Sequence, residues 1–73
     1  MEIEVGKWYR RGDYKFVKVM GINGDEVIGY SITYLRDLKS ITRGVHTLDL
    51  NILKELFVET NEKTIDMLLT NDL

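Results

Sequence analysis

From Tyr14 to Leu35, apolar and polar positions alternate over two runs, YKFVKVMGI and EVIGYSITYL, separated by Asn23-Gly24-Asp25. A period of two on either side of residues that tolerate positive φ predicts two strands folded back as a hairpin. In the first run Val17 and Val19 share a face with Lys15, while Tyr14, Phe16 and Met20 share the other with Lys18. Neither face is plainly polar, which predicts a curved sheet with one face lining a small barrel and the other partly covered. In the second run Ile28, Tyr30, Ile32 and Tyr34 form the expected core face, and Val27, Gly29, Ser31, Thr33 and Leu35 the opposite one. Gly29 is expected to mark a bulge or bend that lets the sheet curl.

The flanking segments extend this pattern. Lys7-Trp8-Tyr9-Arg10 predicts a short aromatic strand led by Gly6, with Arg11-Gly12-Asp13 as the turn that ends it. Arg36 to Lys39 is polar and turn-like, and Ser40 to Leu48 is β-branched, a fourth strand with Gly44 as an expected bulge. Asp49 is a plausible N-cap, and the spacing of Ile52, Leu53, Leu56 and Phe57 turns helical. Beyond it the chain either continues as helix or finishes as a short strand, Leu56 to Glu59. Thr60 or Asn61 caps a predicted last helix, in which Ile65, Leu68 and Leu69 make an i, i+3, i+4 apolar stripe. That stripe is expected to pack on the chain's own barrel, the alternative being a partner or a second copy.

Gly6-Lys7-Trp8-Tyr9, Tyr14 to Val19, Asn23-Gly24-Asp25, Val27 to Tyr34, and Leu48-Asp49-Leu50 leading to Phe57-Val58 follow one another in an order that resembles small SH3-like barrels of the Tudor and KOW type. The resemblance implies a mainly β fold: a barrel of about five strands over residues 5–59, a short helical turn near 49–55 and a C-terminal helix or tail over 60–73. The alternative is an α+β fold, a four-stranded curved sheet covered by a C-terminal helical hairpin. What the resemblance implies for function is a binding module with its ligand open. The acidic loop and Trp pair of SH3 domains that bind proline-rich peptides are not evident, and the basic loop of KOW-like domains has only Arg10-Arg11 as its counterpart.

Composition narrows the function classes. At 73 residues the chain is expected to be a single domain near the lower limit for an unstapled core, and it has no cysteine for a disulfide. The missing cysteines, the lack of a leader-like start and the lack of an 18-residue apolar run predict a cytoplasmic, non-membrane protein. Alanine, proline and glutamine are absent while Ile, Lys, Asn, Asp and Tyr abound, the bias of an AT-rich genome such as that of a low-GC bacterium or its phages. The net charge of −2 argues against a mainly electrostatic nucleic-acid binder. Charge is unevenly spread, however: residues 1–44 carry +2 and residues 45–73 carry −4.

Catalytic chemistry finds little to build on. His46 is the only histidine, so a triad has one possible base, and no spacing supports it. Asp25-Glu26 and the Glu55/Glu59 pair are expected to be a solvated turn and helix face rather than acid-base pairs. Gly21-Ile22-Asn23-Gly24 lacks the Gly-Lys-Ser/Thr continuation of a phosphate loop, and no zinc or calcium spacing occurs. No enzyme, cofactor or metal is therefore expected. Trp8, Tyr9, Arg10, Arg11 and Tyr14 join aromatic surface to planar cations and are the expected partner-binding group. The expected function is a non-enzymatic protein-binding module, such as a small phage or mobile-element accessory protein acting on a host macromolecule. The alternatives are a nucleic-acid module on the same surface with Lys15 and Lys18, and a structural homo-oligomer built through the sheet edge or through Ile65, Leu68 and Leu69.

Overall fold

The computed structural model describes residues 2–72. Its element order is β1 (Trp8–Arg11), β2 (Lys15–Asn23), β3 (Glu26–Leu35), a 3₁₀ turn (Arg36–Leu38), β4 (Ser40–Asp49), α1 (Leu50–Leu56), β5 (Val58–Thr60) and α2 (Glu62–Asp72). The fold is mainly β with a C-terminal helix. All five strands pair antiparallel in one sheet of order β4-β3-β2-β1-β5. The first four strands are a meander, and the fifth returns to the free side of β1. Residues 58–60 are thus a strand in the sheet and not part of a helical hairpin, which removes the α+β alternative. Among the described residues no ladder joins β4 to β5, so the sheet keeps two edges.

Local chemistry sets the turns. The β2–β3 hairpin closes over Gly24 and Asp25, with Gly24 at φ 63°, the left-handed backbone a two-residue loop needs at its first position. Asp49 caps α1 as its spacing predicts: the Asn51 backbone N–H donates to Asp49 Oδ1 at 2.7 Å. Asn61 does the same for α2, accepting from the Thr64 N–H at 2.8 Å.

Two expectations about glycine are corrected. The bulge is at Met20, where the register steps from Val19–Gly29 to Gly21–Ile28, so it lies on the strand facing Gly29. Gly44 makes no bulge, because β4 pairs with β3 without interruption from Ser40 to Asp49. Gly29 is instead a point of close approach: a Cβ there would come within 2.6 Å of Val17 Cγ1.

Both faces of the sheet are buried, each by a different helix. Tyr9, Val17, Val19 and Val27 pack with Ile3 and with Leu53 and Phe57 from α1 and its end. Phe16, Ile32 and Tyr34 pack on the opposite face with Ile65 and Leu69 of α2, flanked by Trp8, Tyr30, Ile41 and Leu68. The expected core face of β3 is therefore only half of its core. Val27 and Ser31, on the other side, are as well buried as Ile32 and Tyr34. The mixed pattern of β2 has the same cause, since Val17 and Val19 belong to one cluster and Phe16 to the other. Ile65 and Leu69 of the α2 stripe are buried against the chain's own sheet, with Leu68 half-buried beside them.

Candidate functional site

Strand alternation divides the five residues expected to form one site. Trp8 and Arg10 point to the face that α2 covers, and Tyr9 and Arg11 to the face that α1 covers. Tyr9 is fully buried; its hydroxyl accepts from the Glu4 backbone N–H at 2.8 Å, which anchors the N-terminal segment over the core. Trp8 is half-buried, edge-on to Tyr30 with ring centroids 6.4 Å apart, and its Nε1 donates to Glu62 Oε1 at 3.3 Å. Both rings are engaged within the fold, so neither presents a free stacking platform. Arg10 donates through Nη1 to the Gly12 carbonyl at 2.8 Å, bracing the β1–β2 turn. Tyr14 is 40% exposed and lines a recess of about 300 Å³ with Tyr34, Leu35, Arg36, Asp37 and Leu38.

The basic residues sort in the same way into committed and uncommitted. Lys7 Nζ lies 2.7 Å from Glu4 Oε2 and 3.5 Å from Glu59 Oε1, and these carboxylates, Glu4 above all, raise its pKa above the ordinary lysine value. Arg36 is paired with Asp13, the only carboxylate of the β1–β2 turn. Arg11 and Lys15 face each other directly across β1 and β2, and neither has an acidic partner among the described residues. Like charges directly opposite on a sheet are destabilising. The pattern of the sequence marked Arg11 but not its cross-strand partnership with Lys15, because that depends on a turn only three residues long.

The sequence marks Ser40 to Leu48 as a strand and a sheet edge as a possible surface, but not that β4 is the long open edge. This strand is ten residues long, hydrogen-bonded to β3 on one side only, and exposed at Thr42, Arg43, Val45, His46, Thr47 and Asp49. The opposite edge, β5, has three residues between two helices. Beside β4, on the face bearing α2, Val45 is 57% and Ile28 41% exposed, an apolar strip that the helix does not reach.

At the far end of the β2–β3 hairpin, Asn23, Asp25, Glu26, Thr47, Leu48 and Asp49 surround an open recess. Among the described residues no three His, Asp or Glu side chains form a group able to hold a metal ion. His46 is exposed on β4. Among the same residues no helix is long and apolar enough to cross a membrane. No protein-family model, curated protein or solved structure matches the chain.

Proposed function

We propose that this chain is a non-enzymatic protein-binding module that takes an extended segment of its partner onto the open edge of β4. The observation that carries this reading is the ten-residue edge itself. An edge strand holds a row of backbone donors and acceptors ready for another strand, and folded proteins blunt such edges with proline, bulges, charge or a covering element. β4 has no proline and no bulge, and Arg43 and Lys39 are the only lysine or arginine residues on it or next to it. Strand addition takes affinity from main-chain hydrogen bonds and specificity from alternate side chains. Here those contacts are Arg43, Val45 and Thr47 on one face and Thr42 and His46 on the other. The apolar strip at Val45 and Ile28 offers a place for an apolar side chain of the incoming segment. A nucleic-acid module draws less support, because Trp8 and Tyr9 are engaged within the fold and Lys7 and Arg36 are paired.

The test uses the alternation of the ladder. Of two successive β4 residues, one directs its N–H into β3 and the next directs it to the open edge. Proline at the second kind removes an outward donor and spares the internal ladder. Of Val45→Pro and His46→Pro, one is expected to keep the wild-type thermal midpoint within a few degrees and the other to lower it sharply. Tagged wild type and the tolerated variant are then used in parallel captures from a bacterial lysate, with and without nuclease. A nuclease-resistant protein held by wild type and lost by the variant supports the reading. Equal retention by both discards the edge, and recovery that vanishes with nuclease replaces protein with nucleic acid.

A further inference from the structure

Arg11, Lys15, Thr33 and Thr42 are successive partners across β1, β2, β3 and β4, forming one transverse row on the face opposite α2. Neighbouring strands are about 4.8 Å apart, so the row places two cations and the Thr33 hydroxyl on adjacent strands, while the Thr42 hydroxyl donates to the Thr33 carbonyl at 3.4 Å. Its two cations have no carboxylate among the described residues. Asp13, the acid closest to them in sequence, is held by Arg36, and Glu59 is held by Lys7. Two apposed cations without a counter-charge work against the folded chain. That deficit is made good by a multiply charged anion with several acceptor oxygens.

We infer that this row is a recognition site for a phosphomonoester carried on a protein side chain. A phosphomonoester has a charge of about −1.5 to −2 at neutral pH and three acceptor oxygens, matching two cations beside the Thr33 hydroxyl. A carboxylate or a phosphodiester brings a single charge and leaves one cation uncompensated. The source on a protein rests on the function proposed above, whereas the anion site rests on the row alone. The row ends at Thr42 on β4, so an anion on it and a segment on the β4 edge occupy one continuous surface.

The experiment is a ¹H–¹⁵N NMR titration of the whole chain with four probes: inorganic phosphate, a phosphoserine tripeptide, the same tripeptide unphosphorylated, and a ten-nucleotide oligothymidylate. The expected result is saturable shifts at Arg11, Lys15 and Thr33 with phosphate and phosphopeptide, and none with the unphosphorylated peptide. Lys15→Gln, and independently Arg11→Gln, is expected to weaken phosphopeptide binding about tenfold, the effect of losing one charge-assisted hydrogen bond. Phosphopeptide binding no tighter than that of the unphosphorylated peptide, or unchanged by both glutamine variants, overturns the site. Tighter, salt-sensitive binding of the oligothymidylate overturns the protein source and assigns the row to nucleic acid. The tolerated β4 proline variant is expected to bind inorganic phosphate as wild type does, so failure of the edge and failure of the row are seen separately.

Discussion

Single residues here are constrained mainly by how closely the strands are pressed together. Gly29 is the sharpest case, since a Cβ at that position would sit 2.6 Å from Val17 Cγ1 and 3.4 Å from Leu48 Cδ1. Val17 is fully buried and has little room to yield. Gly29→Ala is therefore expected to lower stability by about 1–3 kcal/mol, the usual effect of overpacking a closed core, as measured by urea denaturation. The same substitution at Gly21, where an added Cβ meets nothing within 4 Å, serves as the control and should be much milder. From the sequence, Gly29 was legible as a special position but not for the right reason, because a glycine within a strand signals bend and close approach alike. Tyr9 shows a similar limit. An aromatic next to two arginines has the composition of a contact surface, yet strand alternation turns it into the core, where its hydroxyl is satisfied by the Glu4 backbone.

Elements were legible wherever periodicity and caps agreed. The β2–β3 hairpin, the Asp49-capped helix and the last helix all stand where alternation, Gly24 and the cap residues predict them. The region after Phe57 was open because a three-residue strand has too few positions to show a period, and only pairing with β1 decides it. The role of α2 follows from the stripe on it. Ile65 is 2% exposed against the face carrying Phe16, Ile32 and Tyr34, with half-buried Trp8 beside them. Ile65→Ala is expected to cost about 2–5 kcal/mol, as truncation of a buried aliphatic does. It should also shift the emission of Trp8, the only tryptophan, to longer wavelength as the helix loosens over it. A full loss of stability without a change in emission would place the damage away from α2.

On the scale of the whole molecule, five strands and two helices let a short chain bury both faces of one sheet. The charges then arrange themselves around what remains uncovered. One end of the sheet has Arg11 facing Lys15, and the other has Glu26 facing Asp49, so like charges are apposed at both ends. The sequence showed an excess of positive charge in the first 44 residues, but not that Arg11 and Lys15 would head a row of residues that ends at Thr42 on the open edge. That placement depends on the register of three strand pairs, which no local pattern carries. The edge was legible only as one of several possible surfaces. It stands out in the structure because β5 is short and flanked by helices, while β4 runs for ten residues with one side unpaired.

Hydrogen exchange followed residue by residue along β4, in the free protein and in complex with the captured partner, tests the proposed edge most directly. In the free protein, protection should alternate, with amides directed at β3 slow and amides directed outward fast. In the complex the outward set should become slow as well, giving continuous protection over several residues of Ser40–Asp49. Outward amides that exchange equally fast with and without the partner would contradict strand addition and place the contact elsewhere on the molecule.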